Sequence, residues 1–158
     1  MTDNYLDVLE ESLQSKLQIM AKIQEYNLRQ QEILQAQEVD LQEYDKYVDK
    51  KGVLIDELLA LDNGFETLYR NVEQELQGNR QKYAEQIRRL QELVTRVTEE
   101  SVTIQAQEAR NKQTVEGYFR KERSNIAQNR RNSKAAYDYY KSMSNSHVNS
   151  SQFLDSKQ

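Results

Sequence analysis

The chain has 158 residues, with 22 Lys+Arg against 26 Asp+Glu, one His, four Gly, and no Cys, Trp or Pro. Average usage would give about eight Pro and eleven Gly, so the backbone seldom turns. At 37% hydrophobic residues and a mean hydropathy of -0.98 there is too little apolar matter for a thick globular core and too much for full disorder. Without Cys, and with His147 alone, no zinc cluster, disulfide or Cys-His nucleophile can be assembled, so metal, redox and cofactor chemistry are not expected.

The most apolar run, Val53 to Leu61, is interrupted by Asp56 and Glu57 and falls far short of the roughly 20 apolar residues a membrane helix needs. The first twelve residues, MTDNYLDVLEES, place acids where a secretion signal carries basic and then apolar residues. A cytoplasmic protein without membrane insertion is expected.

One fixed heptad phase runs through most of the chain. Stepping by seven from Leu6 to Tyr118 meets seventeen positions, of which fourteen are apolar or Tyr; the exceptions are Asn27, Asp62 and Asn111. The companion row three residues on is wetter, mixing Leu9, Ile23, Leu58, Phe65 and Val72 with Lys16, Gln30, Lys51 and Gln107. Chain order then gives a first helix over about 3–37. Asp40 followed by Glu43 predicts a capping-box start for a second helix over about 41–77. Gly52 lies inside strong periodicity and reads as a tolerated helical glycine. Asp62-Asn63-Gly64 puts a charge on the seam beside a turn-forming pair, so a kink or a further hairpin is open there. Gln77-Gly78-Asn79 marks the clearest break, with Gly in the left-handed position after one helix and Asn capping the next. The third helix runs over about 80–122. Glu25/Arg29, Glu66/Arg70, Glu85/Arg89, Glu92/Arg96 and Glu116/Arg120 stand four apart in the favourable order. The expected architecture is all-α: an elongated antiparallel bundle of about three long helices, or four if broken near Asn63-Gly64, over 1–122, with a basic, Tyr-bearing, Ser/Asn-rich flexible tail over 123–158.

Charge is unevenly placed. Residues 1–66 carry 6 basic and 15 acidic groups, whereas residues 67–158 carry 16 and 11, which suits a basic third helix lying on acidic first and second ones. The basic groups Arg120, Lys121, Arg123, Arg130, Arg131, Lys134 and Lys141 are too few and dispersed to grip nucleic acid. The second half of the third helix, from Ser101 to Glu116, has only Val102, Ile104 and Val115 as sizeable apolar residues, so it packs weakly and can offer a surface to a partner helix. In the tail, Tyr137, Tyr139 and Tyr140 are either aromatic anchors for a partner or part of a short helix folding back on the bundle.

The segment Glu38-Val39-Asp40-Leu41-Gln42-Glu43-Tyr44 leading into Lys50-Lys51-Gly52-Val53-Leu54-Ile55-Asp56-Glu57-Leu58-Leu59-Ala60-Leu61 resembles the FlgN-type flagellar export chaperones. The same acidic turn is followed by Lys and paired Leu/Ile with Glu; the related FliT and FliJ families are similar in part. The resemblance implies a non-enzymatic chaperone, monomer or homodimer, that binds the helical ends of hook-filament junction proteins and delivers them to the export gate protein FlhA. It places the client on Val97, Ile104, Val115, Tyr118 and Phe119, and gate docking on one of Tyr137, Tyr139 or Tyr140. A structural coiled-coil oligomer with no client, its register set by Asn27 and Asn111, is the alternative.

Overall fold

A computed structural model of the chain describes the backbone of residues 2–132 and the side chains of residues 2–125. Every regular element among the described residues is a helix: α1 (Thr2–Gln35), α2 (Leu41–Gly78) and α3 (Ala84–Asn132). None of them is long and apolar enough to cross a membrane. Two compact units are present, Met1–Thr114 and Val115–Gln158; the first holds the three-helix bundle, and the described part of the second is the last stretch of α3.

Within the first unit α1 and α2 run antiparallel. Leu6 and Leu9, near the start of α1, pack with Val72 and Leu76, near the end of α2, and with Tyr83 of the following turn. Further along, Lys16 pairs with Asp62 at 2.6 Å, and Lys51 donates to Asn27 at 2.8 Å. Helix α3 lies beside α1 in the same direction, as the ascending pairs Arg89–Glu10, Gln24–Glu100 and Asn27–Gln107 require. The topology is up-down-up, with α1 in contact with both other helices.

The start of α2 follows from its cap. The Asp40 carboxylate accepts from the Glu43 backbone N–H at 3.2 Å, satisfying one donor that the first turn leaves orphaned. No break occurs at Asp62-Asn63-Gly64, where α2 continues without interruption. Asp62 stays exposed on α2 and pairs with Lys16 of α1, so its charge on the row forces no exit from the helix. Gly64 is then an unexplained helical glycine, and a Cβ built on it meets nothing within 4 Å. Gly64→Ala should raise the free energy of unfolding by about 0.5–1 kcal/mol, measured by urea denaturation.

The break after α2 is where the sequence places it, but by another device. No described glycine has a positive φ, and Gly78 is the last helical residue. Asn79 closes α2 itself: its backbone N–H donates to the Leu76 carbonyl at 3.3 Å, and its side-chain amide donates to the Glu75 carbonyl at 3.1 Å. Residues 79–83 form the turn, plugged by the buried Tyr83, so α3 begins at Ala84 and not near 80. Its C-terminal bound at Asn132 lies ten residues past the expected end near 122. No Pro or Gly falls between 118 and 132, and Arg, Lys, Gln and Ala sustain a helix on propensity where the apolar seam has ceased.

Candidate functional site

The heptad row from Leu6 behaves differently on each helix. On α1 it is buried throughout, at Leu6, Leu13, Met20, Asn27 and Leu34, and the companion positions Leu9, Ile23 and Gln30 are buried too. On α3 the row is half-buried at Leu90, Val97 and Ile104 and buried at Asn111. On α2, however, Val48, Ile55, Asp62 and Tyr69 are exposed. That helix turns the companion row Lys51, Leu58, Phe65 and Val72 inward, flanked by the half-buried Leu54, Leu61 and Leu68. A second apolar row is therefore left on α2, facing the seam with α3.

The result is a groove between α2 and α3, formed of three successive stretches. The upper one, about 720 Å³, lies among Phe65, Tyr69, Leu76, Ile87, Leu90 and Val94. A narrow middle one of about 200 Å³ shares Phe65 and Val94 with it and adds Leu13, Leu61 and Val97. The lower one, about 640 Å³, shares Lys16 and Asp62 with the middle and opens among Val48, Ile55, Leu58, Leu59 and Ile104. Lining residues on α2 run from Val48 to Gln77, which at 1.5 Å per residue spans roughly 44 Å. Helix pairs bury such rows when a neighbour is present; here three helices supply the walls, and among the described residues no fourth supplies a lid.

Charges at the floor of the groove are settled internally. Lys51, only 7% exposed, is held by Asn27 at 2.8 Å and by Glu108 at 2.7 Å. Asn27 in turn donates to Gln107 at 3.1 Å, and Asn111 donates to the Asn27 backbone carbonyl at 3.0 Å. This layer ties all three helices at one level. Gln30 adjoins it, donating to the Tyr44 carbonyl at 3.3 Å, while its buried Oε1 finds no hydrogen-bond partner among the described residues. Burial, then Glu108 and Asp45, hold the Tyr44 hydroxyl above its usual range. At the upper end Arg88 bridges Glu85 and Glu92 at 2.6 and 3.1 Å, and that bond keeps the Glu85 carboxyl below the ordinary carboxylate range.

Of the residues that the resemblance assigns to the client, Val97 and Ile104 line the groove. Val115, Tyr118 and Phe119 belong to the second unit, where the Tyr118 and Phe119 rings meet edge-on at 5.5 Å. Tyr137, Tyr139 and Tyr140 lie outside the described residues. The α2 wall, Val48, Ile55, Leu59 and Tyr69, was not singled out by sequence reasoning; its signal is that α2 carries more apolar rows than one neighbour can cover. Asn27 and Asn111, the register pair of the alternative reading, bond to each other within one chain.

The expected charge pairing is corrected in detail. Glu66/Arg70 forms, at 2.6 Å, but Glu25 pairs with Lys22, Arg29 with Glu32, and Arg89 reaches across to Glu10 of α1. The last bridge joins the basic third helix to the acidic first one as the charge asymmetry suggests; Lys51–Glu108 joins the halves with the opposite polarity. Comparison with protein-family models, with curated proteins and with solved structures gives no match.

Proposed function

We propose that the chain is a non-enzymatic chaperone that lends the α2–α3 groove to an apolar helix of a client, in the manner of the flagellar export chaperones that residues 38–61 resemble. In that reading it works in the cytoplasm. The client is the helical end of a hook-filament junction protein, kept from early assembly while it is held, and FlhA receives the complex through a tyrosine among Tyr137, Tyr139 and Tyr140. The observation that supports the reading is the apolar face of α2 exposed at Val48, Ile55, Leu59 and Tyr69, facing Val94, Val97 and Ile104 across a gap. A guest helix laid there would complete a four-helix arrangement of ordinary packing. The groove offers mainly apolar contact, with Lys51 held by Asn27 and Glu108 and Arg88 by Glu85 and Glu92, which suits holding an apolar segment.

Co-expression with hook-filament junction proteins tests this. A stable one-to-one complex by light scattering supports the reading, and separate elution of the two chains overturns it. Tyr137→Ala, Tyr139→Ala and Tyr140→Ala together should leave that complex intact and weaken its binding to FlhA at least tenfold by surface plasmon resonance; unchanged gate affinity contradicts the docking role.

A further inference from the structure

The two walls of the groove differ in charge. On the α3 side the polar lining is mostly neutral, with Gln91, Thr95, Thr98 and Ser101, and Arg88 is occupied by Glu85 and Glu92. Along the α2 side Lys51 is already held by Asn27 and Glu108, and the charges left over are acidic. Gly52, Leu59 and Glu73 line the groove; they share a heptad row with Asp45 and Glu66, about 40° round the helix from the row of Val48 and Ile55. The next row outward carries Asp49 and Asp56. Asp45, Asp49 and Asp56 are exposed, and among the described residues no basic side chain pairs with any of them. Glu66 alone is neutralised, by Arg70.

We infer that the guest helix is basic along one flank: an amphipathic α-helix whose apolar stripe fills the groove and whose Lys or Arg residues lie against Asp45, Asp49 and Asp56 of α2. This deepens the helix-receiving reading and rests on it. An acidic or neutral stripe helix finds the same apolar walls but meets like charges, or none, along α2. Charge complementarity of this kind selects partners and orients them more than it adds affinity. An uncompensated acidic row beside an open apolar groove is the arrangement that such selection needs.

Two fluorescein-labelled 28-residue peptides test it by anisotropy, sharing one Leu/Val stripe at heptad positions a and d and differing only in Lys or Glu at the flanking positions. The Lys peptide should bind the native chain at least tenfold more tightly than the Glu peptide in 50 mM salt. The ratio should fall below about threefold in 1 M salt, where screening acts within about 3 Å, and should invert in the chain carrying Asp45→Lys, Asp49→Lys and Asp56→Lys. Equal binding of the two peptides overturns the charge inference while leaving the groove reading in place. No binding of either peptide overturns both. Lys-peptide binding that survives Ile55→Asp with Leu59→Asp also overturns it, because the contact is then electrostatic and elsewhere.

Discussion

A chain carrying Ile55→Asp and Leu59→Asp should hold a client helix at least about a hundredfold more weakly than the native chain, with its far-ultraviolet helix signal and thermal midpoint nearly unchanged. The asymmetry follows from where these side chains stand. In the free protein Ile55 is 46% and Leu59 57% exposed, so a carboxylate at either position stays in water and disturbs no described core contact. With the apolar stripe of a guest helix seated on them, the carboxylates must be stripped of water against apolar surface, at a cost of about 2 kcal/mol or more each. Two such costs amount to about two to three factors of ten in affinity. Val97→Asp with Ile104→Asp should also abolish binding, but both side chains are half-buried and Val97 lies beside Leu13, so that pair should lower stability as well. Undiminished binding by the Ile55/Leu59 variant would place the guest outside the groove.

The largest loss of stability should come from Leu9→Ala. Leu9 is 0% exposed and sits with Leu6, Val72, Leu76 and Tyr83, where the first helix, the end of the second and the turn into the third meet. Truncation there removes transfer free energy and leaves a cavity, at about 2–5 kcal/mol, a large fraction of the roughly 5–15 kcal/mol that holds a typical domain. Leu59→Ala should cost less than about 1 kcal/mol, because its side chain is already in water. Urea denaturation of the two variants checks the contrast, and equal costs would mean that the α2 groove row is buried in solution.

Two of the helices were legible almost to the residue, because their ends are written in local chemistry. The expected 41–77 for α2 became Leu41–Gly78 since Asp40 caps in sequence and in space. The expected end of α3 fell short because it was read from the apolar seam, whereas Arg, Lys, Gln and Ala carry a helix on propensity beyond it. The heptad row itself carried an ambiguity that no single-chain pattern resolves. Val48, Ile55 and Tyr69 repeat as regularly as Leu6, Leu13 and Met20, yet among the described residues only the second set is buried. Equally, Gln30 and Lys51 looked like a wet edge and are buried, because Asn27, Glu108 and the Tyr44 carbonyl receive them from other elements. The groove was thus visible as surplus apolar residues, while its position on α2 depended on which row turned toward α1.

Methyl-labelled nuclear magnetic resonance during titration with the Lys-flanked 28-residue peptide bears most directly on the open α2–α3 seam. Methyl signals of Ile55, Leu59, Val94 and Ile104 should shift and saturate together, while Val8 and Leu28, which are equally exposed on α1, should not move. Shifts centred on Val8 and Leu28, or none on the α2 and α3 methyls, would contradict the account.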